Sequence, residues 1–163
     1  MAPSDYARDE SRAHQLDRNW AELIQEFRVI GTGIQILFAF LLSIPFQARF
    51  GQTTAFQRDV YLATLLASGL ATALFIAPVA FHRFLFQERV KDEVVRLANR
   101  FAIAGLIALS FAMTGAILLV TDWVAGSVTA IIATVGTATV MGVLWFLVPA
   151  GLRQRAEERP PGR

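Results

Sequence analysis

The chain contains no cysteine among its 163 residues. Disulfide scaffolds, thiolate zinc sites, thiol nucleophiles, lipoprotein anchoring and palmitoylation are thereby excluded. Charge is scarce as well: Asp, Glu, Lys and Arg make up 17% of the residues against 55% hydrophobic ones, and mean hydropathy is +0.48. Soluble domains carry about a quarter charged residues, so this balance points to a chain whose solvent is largely lipid. Catalytic patterns are also missing. There is no HExxH, no Walker loop and no Ser-x-Gly elbow, and Gly31 and Gly33 lack the third glycine and the preceding strand of a dinucleotide fingerprint. The expectation is a protein that is not an enzyme and that needs neither cofactor nor metal.

What is present is four long apolar runs, near residues 29–48, 58–80, 101–121 and 124–148. Each is long enough to cross a hydrocarbon core of about 30 Å at about 1.5 Å per residue. Backbone groups in lipid must be paired within the segment, and runs this continuous lack the alternation of barrel strands, so the reading is helical. The expected fold is all-α, a membrane-spanning four-helix bundle at residues 19–150 with tails at 1–18 and 151–163 that lack fixed structure. The first run follows a charged segment and has full spanning length, which argues against a secretory signal peptide.

The excess positive charge is not a nucleic-acid patch. Of 15 Lys and Arg, 13 lie in residues 1–28, 81–100 and 151–163, and only Arg49 and Arg58 fall elsewhere. The same three stretches hold 11 of the 13 acidic residues, so each is a mixed-charge face. The asymmetry across the membrane places both termini and the middle loop in the cytoplasm by the positive-inside rule. The partners this allows are the lipid bilayer, a second copy of the chain or another membrane protein; nucleic acid is not among them.

The segments outside the runs carry their own signals. Leu16, Trp20, Leu23, Phe27 and Ile30 recur at helical spacing, and Asn19 with Glu22 fits a capping box, predicting an amphipathic helix from near residue 20 that leads into the first span. Between Gln87 and Arg100, Val90, Val94, Leu97 and Phe101 share a helical face, with Arg89–Glu93 and Asp92–Arg96 as i,i+4 pairs, so the third helix is expected to project beyond the bilayer. At the other ends, Gly51 with a Thr54 to Gln57 capping box predicts a short connection, and Thr121 to Gly126 a tight turn.

Within the runs the informative residues are small or polar. Gly126, Ala130, Thr134, Ala138 and Gly142 recur every four residues in the fourth, and Ala104, Ala108, Ala112 and Ala116 in the third, and both series read as packing ridges. The first run carries Thr32, Gln35, Ala39 and Ser43, and the second Thr64, Ser68 and Thr72. Gln35 is the most polar group at membrane depth. An amide left bare in hydrocarbon costs kilocalories, so Gln35 is expected to point inward toward these hydroxyls or toward water, as interhelical glue or as a ligand for a solute or ion. No carboxylate or histidine lies at depth; Asp59 and Asp122 sit at the outer ends, Glu26 and His82 at the inner ends. After Pro78, the cluster Phe81, His82, Arg83, Phe84, Phe86 suits an interface. Glu26, Arg28, His82, Arg83, Asn99 and Arg100 are candidates for a cytoplasmic polar site able to bind an anion or a headgroup.

The run from Glu26 to Leu42, EFRVIGTGIQILFAFLL, with Pro45-Phe46, the APVAFHR run at 77–83 and Ala98-Asn99-Arg100, resembles a family of small integral membrane proteins of high-GC Gram-positive bacteria known only as a domain of unknown function. The resemblance covers residues 20–150. It implies four membrane helices in a bacterial inner membrane, and some members carry a sodium:proton antiporter label. Two functions follow from the reading: a non-enzymatic accessory or scaffold component acting through helix faces and the cytoplasmic polar and aromatic face, or a small ion or solute transporter or channel, active as an oligomer.

Overall fold

The computed structural model describes residues 12–84 and 91–157 and, within them, every regular element is helical. Helix α1 spans Arg12–Ser43, α2 Ala55–Phe84, α3 Lys91–Ala125 and α4 Ser127–Gly142. A π turn at Val143–Leu147 carries α4 on into α5, Val148–Glu157. Two short 3-10 turns, Ile44–Phe46 and Phe50–Gln52, lie between α1 and α2. Four segments are long and apolar enough to cross a membrane: Arg28–Phe46, Ala55–Phe81, Arg96–Ala125 and Ser127–Arg155. The all-α fold with four membrane-length helices is as the sequence implies.

The helix ends have local causes. Helix α1 stops at Ser43, two residues before Pro45, because Pro45 has no N–H to give to Leu41 O and its ring crowds that carbonyl. Helix α2 starts at the expected capping box: the Thr54 N–H donates to Gln57 Oε1 at 3.0 Å and the Gln57 N–H to Thr54 Oγ1 at 3.2 Å. Helix α1, by contrast, does not begin at the expected Asn19–Glu22 box. Helix α1 runs unbroken from Arg12 and places Arg18 against Glu22 at 4.0 Å as an exposed i,i+4 pair, so residues 12–18 are helix where a tail was expected. Likewise α5 extends to Glu157 through the start of the expected C-terminal tail. The third helix does project beyond its apolar run, beginning at Lys91; the pairs Arg89–Glu93 and Asp92–Arg96 lie outside the described side chains.

The π turn has a cause in Pro149. A proline has no N–H to donate and its ring clashes with the carbonyl four residues back, here Trp145. The helix widens instead, and the Val148 N–H reaches Val143 O, five residues back.

The chain packs as two compact units, one of residues 1–43 and 68–108, the other of 44–67 and 109–163. In the first, Ile34, Leu41, Ala71, Phe75, Ala98 and Ala108 are buried, and Phe75 lies so near α3 that a Cβ on Gly105 would meet its ring at 2.7 Å. In the second, Thr64, Leu109, Ala112, Leu119, Ala130 and Met141 are buried. There α2 and α3 touch at Gly115, where a Cβ would lie 3.2 Å from Thr64 Cβ, 3.3 Å from its Cγ2 and closer still to its Oγ1. The alanine ridge of α3 is inside as expected, with Ala108 and Ala112 buried. The ridge of the fourth helix is inside only in part: Ala130 is buried and Thr134 half-buried, but Ala138 is exposed. A four-residue step in a helix of 3.6 residues per turn rotates by about 40°, so a straight every-fourth series walks off any one face within a few turns.

Candidate functional site

In the second unit the polar residues at the α2 start and the α3–α4 corner form one network. Asp122 Oδ2 accepts from Gln57 Nε2 at 2.6 Å, and Asp122 Oδ1 accepts from Ser127 Oγ at 2.7 Å. Since Gln57 Oε1 is already held by the Thr54 N–H, a single carboxylate ties the capped start of α2 to the last turn of α3 and the first residue of α4. Beside it, Arg58 Nε donates to Thr53 Oγ1 at 3.2 Å, Thr53 Oγ1 donates to Phe50 O at 2.7 Å, and the Phe50 and Tyr61 rings meet edge-on at 5.4 Å. Both oxygens of the Asp122 carboxylate are taken up by neighbouring side chains, so its part in the network is structural. Replacing Asp122 by Ala leaves the Gln57 amide and the Ser127 hydroxyl without their acceptor, whereas Asn keeps one acceptor oxygen. Thermal unfolding in detergent is expected to rank wild type above Asp122→Asn above Asp122→Ala, with steps of a few degrees; equal midpoints would show the network to be idle.

In the first unit a groove of about 380 Å³ runs between α1 and α2. Arg28, Gly31, Thr32 and Gln35 form the α1 wall, and Phe75, Ile76 and Val79 the α2 wall. Phe75 is buried, while Ile76 and Val79 keep 50% and 46% of their surface, so the groove is open along its length. Arg28, Thr32 and Gln35 share a face because they stand four and three residues apart. Thr32 Oγ1 donates to Arg28 O at 3.0 Å. Among the described residues neither the Arg28 guanidinium nor the Gln35 amide has a partner.

Of the residues proposed from sequence, the structure therefore joins Arg28, Thr32 and Gln35. Gln35 does not turn inward to Ser68 and Thr72. The inward face of α1 is taken by Ile34 and Leu41, 1% and 0% exposed, and residue 35 is rotated about 100° from Ile34. The hydroxyls are engaged locally: Ser43 donates to Phe40 O at 2.6 Å and Thr72 to Ser68 O at 2.9 Å, with Ser68 itself fully buried and bonded. Asn99 and Arg100 are exposed on α3 and do not line the groove. The side chains of Glu26, His82 and Arg83 lie outside the described part. Phe81 of the aromatic cluster packs on Phe101, ring centroids 5.5 Å apart, joining α2 to α3 within the first unit. Two features escaped the sequence reading: the Asp122 hub, whose only signal was an acid five residues before Ser127 across Gly126, and the groove, which needs the α1–α2 pairing to exist.

Four membrane-length helices with polar groups gathered at their ends define a multi-pass membrane protein. Residues 9–149 match the Family of unknown function (DUF6328), and the chain belongs to that family. This bears out the resemblance seen in its sequence to an uncharacterised family known only as a domain of unknown function. No curated protein and no solved structure matches the chain.

Proposed function

We propose that the protein is a non-enzymatic accessory or scaffold component of a bacterial inner membrane, with both termini in the cytoplasm, acting through its helix faces and cytoplasmic polar surface. The observation that carries the reading is where the hydroxyls of the spans point. Thr32, Ser43, Thr64, Thr72 and Thr139 each donate to a carbonyl three or four residues back on their own helix, at 2.6–3.0 Å. That engages the protons of these five hydroxyls within their own helices and leaves a solute only their oxygen lone pairs, so they do not form a row of donors along a conduit. The fourth span supports the same reading, with 6% of its apolar 18-residue stretch buried against 28% in the second and third, and with Val128, Ile131, Ile132 and Val135 at 59% exposure or more. That surface suits lipid, another membrane protein or a second copy. The orientation rests on the 13 basic residues at one set of helix ends against two at the other.

The transporter reading draws on one feature, the groove that reaches Gln35. Proton and sodium flux into liposomes separates the two. Protein-containing vesicles are expected to leak no faster than empty ones; flux that Gln35→Leu abolishes would overturn the accessory reading.

A further inference from the structure

We infer that the groove between α1 and α2 is a binding site for an anionic glycerophospholipid, held by its phosphate at Arg28. The inference does not depend on the accessory reading. Arg28 begins the first span and is exposed, with no counter-ion among the described residues. A guanidinium at that level meets the phosphate layer of the bilayer, and its forked donors match phosphate oxygens two at a time. Gln35 stands seven residues further on, about 10 Å along the helix axis, which carries it past the headgroup layer to the level of the ester groups and the first methylenes. Its amide has two N–H donors and no partner among the described residues, and an ester carbonyl is an acceptor that bilayer water alone does not supply at that depth.

The rest of the groove is apolar. Phe75, Ile76 and Val79 offer a wall for an acyl chain opposite the polar strip of Arg28, Thr32 and Gln35. The order along the groove, cation, then amide donor, beside an apolar wall, is the order of groups along a phospholipid. The headgroup is assigned as anionic because a phosphate with no choline or ethanolamine ammonium of its own to balance it attracts the guanidinium more strongly.

The test uses the full-length protein purified in detergent and exchanged into mixed micelles with equal amounts of phosphatidylglycerol and phosphatidylcholine, retained lipid being read by native mass spectrometry. Wild type is expected to retain phosphatidylglycerol preferentially. Arg28→Ala, which loses a charge-assisted contact, is expected to lower that retention roughly tenfold. Gly31→Phe keeps the charge and fills the groove; a Cβ at Gly31 meets no atom within 4 Å, so this variant has room to fold, and it is expected to lower retention as much. It carries the test if Arg28→Ala does not fold. Retention unchanged in the folded variants would overturn the proposal, as would equal retention of the two lipids. Displacement of the lipid by millimolar inorganic phosphate would identify a free-anion site and overturn it too. A changed oligomeric state in Gly31→Phe with lipid retention intact would assign the groove to a second copy, with the same consequence.

Discussion

Gly115→Ala is expected to destabilise the protein by about 1–3 kcal/mol, the usual cost of forcing an extra methyl group into a packed contact. Gly115 sits where α3 meets α2, and the added Cβ would fall 3.2 Å from Thr64 Cβ and 3.3 Å from its Cγ2, with Oγ1 nearer than either. Thr64 cannot easily swing away. It is 3% exposed, and its Oγ1 donates to Val60 O at 2.6 Å, which fixes its rotamer. The helices must separate, and separation removes close packing, the main source of helix association in a bilayer. A larger residue such as Leu should prevent accumulation of folded protein. Gly136→Ala is the control, because nothing lies within 4 Å of its Cβ position. It should be neutral or slightly stabilising, since alanine is the better helix former. Adding Thr64→Ala to Gly115→Ala removes the Oγ1 and Cγ2 clashes and should restore most of the loss, leaving the tight Cβ contact. Unfolding midpoints in detergent decide the matter: equal stability of Gly115→Ala and Gly136→Ala would mean that the close approach at Gly115 carries no energy.

The contrast among glycines shows how far the sequence could be read. The spans, the all-α class, the Thr54–Gln57 box and the projection of α3 were legible because each depends on residues near one another in the chain. Hydrophobic run length and cap chemistry are local properties. Which glycine touches a neighbour is not local: Gly115 and Gly136 differ only in what another helix places beside them. Gln35 was misplaced for the same reason. Its polarity argued for the inside, but the face of α1 that turns inward is set by Ile34 and Leu41, and residue 35 went where the helical rotation put it. The Asp122 hub likewise joins residues 65 positions apart, and an acid at a helix end gives no sign from sequence that a glutamine will meet it. Of the candidate site, the Arg28, Thr32, Gln35 strip could be found by spacing alone, while its α2 wall could not.

The second large effect is expected at Gly126, where the cause is the backbone instead of a neighbour. Helix α3 ends at Ala125 and α4 begins at Ser127, so Gly126 alone reverses the chain. It does so at φ 81° and ψ 168°, a conformation that residues with a Cβ essentially do not adopt. The flanking hydrogen bonds hold it there: the Gly126 N–H donates to Asp122 O at 3.2 Å, and Gly126 O accepts from the Ala130 N–H at 3.1 Å. Gly126→Ala should therefore cost about 1–3 kcal/mol although no atom lies within 4 Å of the added carbon. Asn, which tolerates left-handed helical backbone near ψ of about 45°, should give no relief, because ψ here lies far from that region. Gly51→Ala separates the two contributions, since Gly51 also has open space around it but no positive φ, and it should change stability little. D-alanine placed at 126 by peptide ligation favours positive φ and should match or exceed the wild-type midpoint. If L-alanine at 126 is as stable as L-alanine at 51, the α3–α4 corner is free to adopt another turn, and the alignment of Asp122 with Ser127 does not depend on this glycine.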